Sequence, residues 1–130
     1  MLFQESILNI ADNTGPKKAK CLKLINNHGN RKMCYLGEEI IVAIQKKRVK
    51  FKKKTLDKKI FNGLIITTKH KTKRLDGNFV KFSTNNVVLL NSDLQFLGTR
   101  VYGLISKEIR DTKIKELKYK RIISYSCITI

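Results

Sequence analysis

Lysine and arginine side chains dominate the chemistry that this sequence can perform. Of the 130 residues, 28 are Lys or Arg and 10 are Asp or Glu, which gives a formal net charge of +18. Residues 46–82 carry fourteen basic and two acidic side chains, so two thirds of the net charge lies in this stretch. Ammonium groups bind phosphates as point charges with little geometric demand. The charge therefore predicts a polyanionic partner, a nucleic acid in particular.

The candidate nucleic-acid-binding side chains form two groups, one in the lysine-rich run 46–59 and one around an Asp76-Gly77 turn. They are Lys46, Lys47, Arg48, Lys50, Lys52, Lys53, Lys54, Lys58, Lys59, Lys69, Lys71, Lys73, Arg74 and Lys81. A charge run of this length is usually a solvated loop or a flexible arm. The second group favours binding, because a strand that runs from Ile60 to Lys69 and onward would project Lys69, Lys71 and Lys73 from one face.

Aromatic residues indicate which nucleic acid is bound. Phe79 and Phe82 beside Lys81 could form a base-stacking patch, but the neighbouring apolar strand favours core positions for both rings. An RNA-recognition strand of the K/R-G-F/Y-G/A-F type is not visible. Lys outnumbers Arg 22 to 6. The sequence thus favours recognition of the backbone and shape of a folded RNA.

Cysteine and histidine residues offer no metal or nucleophile site. Cys21, Cys34 and Cys127 are widely spaced, and His28 and His70 are isolated, whereas a zinc site usually needs ligands in short-spaced pairs. We therefore expect reduced thiols, no metal and no cofactor.

Asp12-Asn13-Thr14-Gly15 resembles the aspartic-protease Asp-Thr-Gly triplet, but Asn13 occupies the position of the catalytic carboxylate. The seven glycines form neither a G-x-G-x-x-G nor a G-K-[ST] motif. The sequence therefore predicts that the protein is not an enzyme. A small nuclease is the distant enzymatic alternative.

Short β-branched and aromatic runs predict a mainly β single domain over residues 1–130. The predicted strands are Leu2 to Ile10, Ala19 to Ile25, Glu39 to Lys46, Ile60 to Lys69, Phe79 to Phe82, Val87 to Asn91 and Val101 to Gly103. Six or seven such strands suggest a small barrel, and Asp76-Gly77 predicts a hairpin turn. Ser106 can cap a helix that starts at Lys107, and helical spacing recurs through residues 109–125. The longest apolar runs are strand-sized, so we expect a soluble protein.

Residues 63–89 resemble the signature of a ribosomal protein family. The sequence Gly63-Leu64-Ile65-Ile66, nine residues, Asp76-Gly77, four residues, Phe82, two residues, Asn85, two residues and Val88-Leu89 meets every fixed position of the universal large-subunit ribosomal protein L14 family. Further similar blocks are residues 7–15, 87–91 and 98–103, with shorter matches at 107–110 and 122–124. The resemblance covers nearly the whole chain.

The resemblance implies a closed five-stranded β-barrel over residues 1–103, with the basic loop 46–59, and a short helical C-terminal part over 104–130. It implies a structural constituent of the large ribosomal subunit that binds large-subunit ribosomal RNA and supports assembly and intersubunit contact. Implied partners are neighbouring proteins of the L3 and L19 type, small-subunit RNA at a bridge, and the ribosomal silencing factor. Thr99 and Arg100 correspond to the silencing-factor surface.

Alternatives from other classes remain open at this point. A free-standing basic barrel that acts as a general RNA-binding or RNA-chaperone protein would share the charge and the fold. Residues 111–120 extend a segment that is shorter in typical bacterial members, and Ile114 and Leu117 predict an amphipathic helix there, either a lid on the barrel or an interface.

The residue usage bears on the compartment. Lys (22), Ile (16) and Asn (10) are abundant, as A+T-rich coding DNA favours, and no leader is visible at the start of the chain. We expect a mitochondrial ribosome, with a plastid-type organelle or an A+T-rich bacterium as alternatives.

Overall fold

β-Strands make up most of the fold. The structure, a computed structural model, describes residues 2–25, 33–47, 59–109 and 122–130. The strands are β1 Leu2–Phe3, β2 Ile7–Ile10, β3 Pro16–Leu24, β4 Met33–Cys34, β5 Glu39–Lys47, β6 Ile60–Thr67, β7 Thr72–Lys73, β8 Phe79–Val80, β9 Asn86–Leu90, β10 Val101–Ile105 and β11 Ser126–Thr129. A 3₁₀ turn spans Lys107–Ile109, and residues 122–124 are helical. The prediction of a mainly β protein is confirmed.

Five strands pair in a ring. The hydrogen-bonded order is β2, β3, β5, β6 and β9, and β9 returns to pair with β2. All neighbours in the ring are antiparallel except β2 and β9, which pair in parallel through Asn9 with Asn86 and Ile10 with Val87. Two short antiparallel pairs, β1 with β4 and the hairpin β7 with β8, lie outside the ring.

Hydrophobic side chains form two clusters on the two faces of β6 and β9. Ile65, Val87 and Leu89 belong to the cluster that also holds Leu8, Ala19 and Val42 of the other ring strands. Leu64, Ile66, Val88 and Leu90 belong to a second cluster with Val101, Ile105, Ile109 and Ile122. Successive residues of a strand point to opposite faces. This double burial explains why residues 87–90 are uniformly apolar rather than alternating.

The C-terminal part packs on the outer face of β6 and β9 through this second cluster. The prediction of a helical C-terminal part is wrong for residues 126–129, which form β11 and pair in parallel with β10 through Leu104 with Ile128. β-Branched Ile128 and Thr129 suit this pairing better than a helix. The predicted helix over residues 111–120 lies outside the described residues.

Three predicted strands are shorter than the sequence suggested, and one of them, Phe79 to Phe82, ends at Val80. Leu2 to Ile10 is interrupted at Glu5, whose φ of 69° lies in the left-handed region and turns the chain between β1 and β2. β6 ends at Thr67, so the strand expected to reach Lys69 stops two residues earlier. The predicted Asp76-Gly77 turn is confirmed: Gly77 has a φ of 79° and joins β7 to β8.

Candidate nucleic-acid interface

Basic residues from three segments meet where β3 begins and β5 ends. The register pairs Pro16 with Lys47 and Lys18 with Lys46, and the N–H of Ile44 donates to the backbone oxygen of Lys59 at 2.9 Å. Lys17, Lys18 and Lys59 are exposed. We call Lys17, Lys18 and Lys59 the ribbon-end cluster. The backbones of these residues therefore lie close together at one end of three paired strands, and their side chains are exposed there.

Most of the first predicted group lies outside the part of the chain that the structure describes. Arg48, Lys50, Lys52, Lys53, Lys54 and Lys58 are outside the described residues. For Lys46 and Lys47 the structure describes the backbone, which ends β5 beside the ribbon-end cluster. The binding role of all eight remains a prediction.

Exposed lysines also surround the β7–β8 hairpin. Lys69, Lys71, Lys73 and Lys81 are exposed, and we call them the hairpin cluster. They do not project from one continuous strand, as the sequence suggested, because the chain leaves the sheet after Thr67 and the N–H of Lys69 donates to Asn85 Oδ1 at 2.7 Å. Lys73 instead pairs with Phe79 in the short antiparallel hairpin. The hairpin itself brings these lysines together.

Phe79 departs from the predicted core position, since 54% of the residue is exposed. Lys71 Nζ lies 4.4 Å from the centroid of its ring, within the range of a cation–π contact. β8 lies in a two-stranded hairpin outside the ring, so its outward side chain belongs to neither hydrophobic cluster. Phe82 is half-buried, and its N–H donates to the backbone oxygen of Thr68 at 3.1 Å.

Arg74 differs from the other basic residues of its group because a carboxylate holds it. Its Nε donates to Glu108 Oε1, and its Nη2 donates to Glu108 Oε2 at 3.4 Å and to the backbone oxygen of Ile130 at 2.8 Å. The hydrogen bond from Arg74 to Glu108 raises the pKa of the guanidinium above its ordinary value. At the hairpin tip, Asp76 lies 3.8 Å from Lys107 Nζ. These contacts anchor the hairpin to the 3₁₀ turn and to Ile130, the residue that follows β11.

β6 separates the two clusters. Lys59 precedes its first residue, and Lys69 follows its last residue by two positions. Eight extended residues span about 25 Å, which exceeds the screening length of roughly 8–10 Å in physiological salt. The described part of the predicted basic surface is therefore divided into two separate basic areas.

Asn13 positions the predicted protein-interface residues. Its Nδ2 donates to Thr99 Oγ1 at 2.7 Å, and its Oδ1 accepts from the N–H of Thr99 at 2.9 Å and from the N–H of Arg100 at 3.3 Å. A Cβ on Gly98 would lie 2.8 Å from the same Oδ1. Thr99 and Arg100 are both exposed. Asn13 and Gly98 together hold this segment against the end of β2 while it faces solvent.

Asp12 has a structural environment and no catalytic partner in the described part of the chain. Its Oδ2 accepts from the N–H of Leu89 at 2.8 Å, and its Oδ1 accepts from the N–H of Thr14 at 3.0 Å and from the Thr14 hydroxyl. Burial raises the pKa of Asp12 above 3.8, and the three hydrogen bonds oppose this shift. The motif that resembles a protease triplet thus joins β2 to β9.

Metal-binding and reactive groups are not assembled among the described residues. No three His, Cys, Asp or Glu side chains there lie close enough to hold a metal ion. Cys21 and Cys34 are buried, and burial with a hydrogen bond to Glu38 raises the pKa of Cys34 to about 12. Both thiols belong to the core cluster inside the ring. In residues 2–25, 33–47, 59–109 and 122–130, no helix is long and apolar enough to cross a membrane.

Lys17 and Lys18 are the candidate residues that sequence reasoning missed. They lie in residues 1–45, where six basic and four acidic side chains give a net charge of only +2. Their proximity to Lys46 and Lys47 follows from the antiparallel register of β3 and β5. A signal for them does exist in the sequence. The pair Lys17-Lys18 lies near the start of β3 and the pair Lys46-Lys47 ends β5, so antiparallel pairing of these two strands brings the pairs together.

Comparisons with known proteins identify the relatives of this chain. A family model described as ribosomal protein L14p/L23e matches residues 1–130. The large ribosomal subunit protein uL14 of Carsonella ruddii (strain PV) is 38% identical over 117 residues, which cover 90% of this chain and 93% of that relative.

Proposed function

The chain belongs to the ribosomal protein L14p/L23e family and is a structural, non-enzymatic constituent of the large ribosomal subunit. We propose that it binds large-subunit ribosomal RNA through the ribbon-end and hairpin clusters. Family membership favours this role over that of a free-standing general RNA-binding protein. We further propose that the ring of five strands is the closed barrel expected of the family and that it holds the two clusters at a fixed separation.

The observation that carries the proposal is the presence of two exposed basic areas, one at the end of the ring strands and one on the β7–β8 hairpin. The ion pairs recorded in the described residues join Glu5 to Lys20, Glu108 to Arg74 and Asp76 to Lys107. Within that part of the chain, the lysines of the two clusters form no such pair. Their charge is therefore available to replace the counterions of RNA phosphates, which is the main source of affinity in sequence-independent binding.

Two areas about 25 Å apart can contact two separate stretches of phosphate backbone. Each area is screened from the other by physiological salt. Changes in one cluster should therefore add to changes in the other, as expected for distant and independent sites. Such an arrangement suits the shape of a folded RNA better than a linear single strand.

Three charge-matched variants test this proposal. Lys17→Ala/Lys18→Ala removes two charges from the ribbon-end cluster, Lys69→Ala/Lys73→Ala removes two from the hairpin cluster, and Lys20→Ala/Lys23→Ala removes two from the middle of β3. Binding to a transcript of large-subunit ribosomal RNA is measured across a salt series. Each cluster variant should weaken binding and reduce the log–log salt slope by about 1–2, since each neutralised phosphate contributes about 0.7–0.9.

The control variant should keep the wild-type slope although its net charge changes by the same amount. If all three variants weakened binding equally, net charge alone would account for the affinity and the two-cluster proposal would be wrong.

Thr99 and Arg100 are proposed as a contact surface for another protein. We assign the silencing factor to Thr99 and Arg100. The other proposed neighbours of this molecule are large-subunit proteins of the L3 and L19 type and small-subunit RNA at a bridge. Support comes from the exposure of both residues on a segment held by Asn13. Arg100→Ala should reduce capture of purified silencing factor without changing RNA affinity. An unchanged capture would contradict the assignment.

A mitochondrial ribosome is the proposed location. The support is the abundance of Lys, Ile and Asn, which A+T-rich coding DNA favours. A bacterial cytoplasm is the second candidate, supported by the 38% identity to the Carsonella ruddii protein. Sequencing the DNA molecule that carries the gene distinguishes them: a mitochondrial chromosome supports the first location, a bacterial chromosome supports the second, and a plastid chromosome would contradict both.

A further inference from the structure

One exposed aromatic ring lies among the lysines of the β7–β8 hairpin. Lys73 is directly paired with Phe79, and Thr72 is paired with Val80. Directly opposed residues of an antiparallel pair have side chains on the same face, so Lys73 and Phe79 share one face of the hairpin. Lys71 is two residues from Lys73, and its Nζ lies 4.4 Å from the ring centroid of Phe79. The Phe79 ring therefore lies against the Lys71 ammonium group and on the same hairpin face as the Lys73 side chain.

Folding does not explain the position of Phe79. The residue is 54% exposed and belongs to neither hydrophobic cluster of the ring. The next residue of β8, Val80, points to the opposite face of the hairpin and is half-buried. A hairpin that needed only an apolar contact with the sheet would be served by Val80 alone. The exposed ring is thus available to a ligand that recognises aromatic surface and positive charge together.

We propose that Phe79 stacks on an unpaired base of RNA while Lys71 and Lys73 bind the phosphates on either side of that base. The inference rests on the ribosomal RNA binding proposed above and adds a single-stranded element to it. Bases offer a flat aromatic surface whatever their identity, and stacking on a protein ring contributes about 1–3 kcal/mol per base. A base inside a continuous duplex is already stacked on both sides, so the ligand is a loop, a bulge or an end.

The hairpin is held in place before RNA arrives. Arg74 is hydrogen-bonded to Glu108 and to the backbone oxygen of Ile130, and Asp76 lies near Lys107. A ring whose backbone is already anchored loses little conformational freedom on binding, which increases the affinity that each contact provides. The charge of the surface favours a polyanion over an apolar protein segment.

A tryptophan reporter tests the stacking directly. The chain contains no Trp, so Phe79→Trp introduces one indole, whose fluorescence is quenched when a base stacks on it. The full-length variant is titrated with a short single-stranded oligoadenylate and with a blunt RNA duplex. Strong quenching by oligoadenylate and little by the duplex is expected. Leu75→Trp, at the fully exposed hairpin tip, is the control and should respond weakly to both.

Affinity measurements with unlabelled variants complete the test. Phe79→Leu keeps apolar volume but removes the ring, and it should weaken oligoadenylate binding about tenfold while duplex binding stays unchanged. Phe79→Tyr keeps the ring and should bind like the wild type. Equal weakening for both RNAs, or no weakening for either, would overturn the inference.

Two further outcomes separate this inference from the proposal on which it rests. If the wild-type protein bound neither RNA, the proposed ribosomal RNA binding would fail. If Phe79→Leu bound both RNAs normally but entered large subunits less efficiently, Phe79 would be a protein contact and only the stacking inference would be wrong.

Discussion

The carboxylate of Asp12 accepts a hydrogen bond from the backbone N–H of Leu89 at 2.8 Å and so joins the segment just after β2 to β9. Leu89 lies 77 residues further along the chain. Its N–H is buried, and a buried donor without a partner is destabilising. Asp12 therefore completes the hydrogen bonding of the ring at the corner where Asn13 also holds Thr99.

Removing this carboxylate should destabilise the protein. Asp12→Ala leaves the Leu89 N–H unpaired, so the free energy of unfolding should fall by about 1–3 kcal/mol. Asp12→Asn keeps an amide oxygen that can accept this hydrogen bond, so the free energy of unfolding should fall by less. Urea unfolding measures both variants, and Asn9→Ala, at an exposed position of β2, is the control. Equal stability of Asp12→Ala and the wild type would contradict the structural role.

The pH dependence of stability provides an independent check on Asp12. Burial raises its pKa in the folded state above 3.8, so the folded protein binds this proton more tightly than the unfolded chain. The contribution of Asp12 to stability is therefore fully present below 3.8 and decreases as the pH rises through the folded value. The free energy of unfolding of the wild type minus that of Asp12→Asn should therefore decrease as the pH rises from below 3.8 through the folded pKa of Asp12. A difference that rises with pH would show that the folded pKa is lowered.

Gly63 is required by close packing inside the ring. A Cβ at this position would lie 2.7 Å from Val87 Cγ2. Gly63→Ala should reduce the free energy of unfolding by about 1–3 kcal/mol, because overpacking a dense core forces neighbours to move. Val87→Ala in the same chain should recover part of the loss. A double-mutant cycle without coupling between the two positions would contradict this contact.

Gly77 and the lysine run should separate folding from binding. Gly77 has a φ of 79° with open space around a Cβ, so Gly77→Val is destabilising through backbone conformation, by about 1–2 kcal/mol. Gly77→Asn should reduce the free energy of unfolding by less, because Asn adopts the left-handed conformation more readily than Val. Changing Lys52, Lys53 and Lys54 to Ala should weaken RNA binding with little loss of stability. Equal thermal destabilisation by the lysine triple variant and Gly77→Val would contradict this division.

The buried thiols should resist alkylation. The pKa of Cys34 is raised to about 12, so its reactive thiolate is scarce at neutral and mildly alkaline pH. Burial also raises the pKa of Cys21. Iodoacetamide treatment of the folded protein, read residue by residue by mass spectrometry, should leave both unmodified until denaturant is added. Rapid labelling of Cys34 in the folded protein would contradict its burial.

Local sequence patterns predicted most of the sheet and the Gly77 turn. Alternating apolar residues and β-branched runs identified the ring strands, because every second side chain of a strand points to the same face and one face of the ring packs on a core. The pattern could not show that Glu5 interrupts the first strand, since that depends on one left-handed backbone conformation. β11 was mistaken for helix because its pairing with β10 spans more than twenty residues of sequence.

The candidate site was only partly predictable for the same reason. The hairpin lysines follow one another in the sequence and were found there. Lys17 and Lys18 join Lys46 and Lys47 only through the register of β3 and β5. The pairing of Arg74 with Glu108 could not be seen in the sequence because the two residues lie 34 positions apart. The exposure of Phe79 depends on the hairpin lying outside the ring, which an apolar run alone does not reveal.

RNA–protein cross-linking of intact large subunits tests the central claim most directly. Subunits are isolated by gradient sedimentation, cross-linked, and digested, and peptides of this chain that carry nucleotides are identified. We expect the chain in the large-subunit fractions, with nucleotide adducts on peptides that contain Lys17 and Lys18 and on peptides from residues 69–81. A chain that sediments with large subunits but carries adducts in neither region, or one that remains at the top of the gradient, would contradict the account.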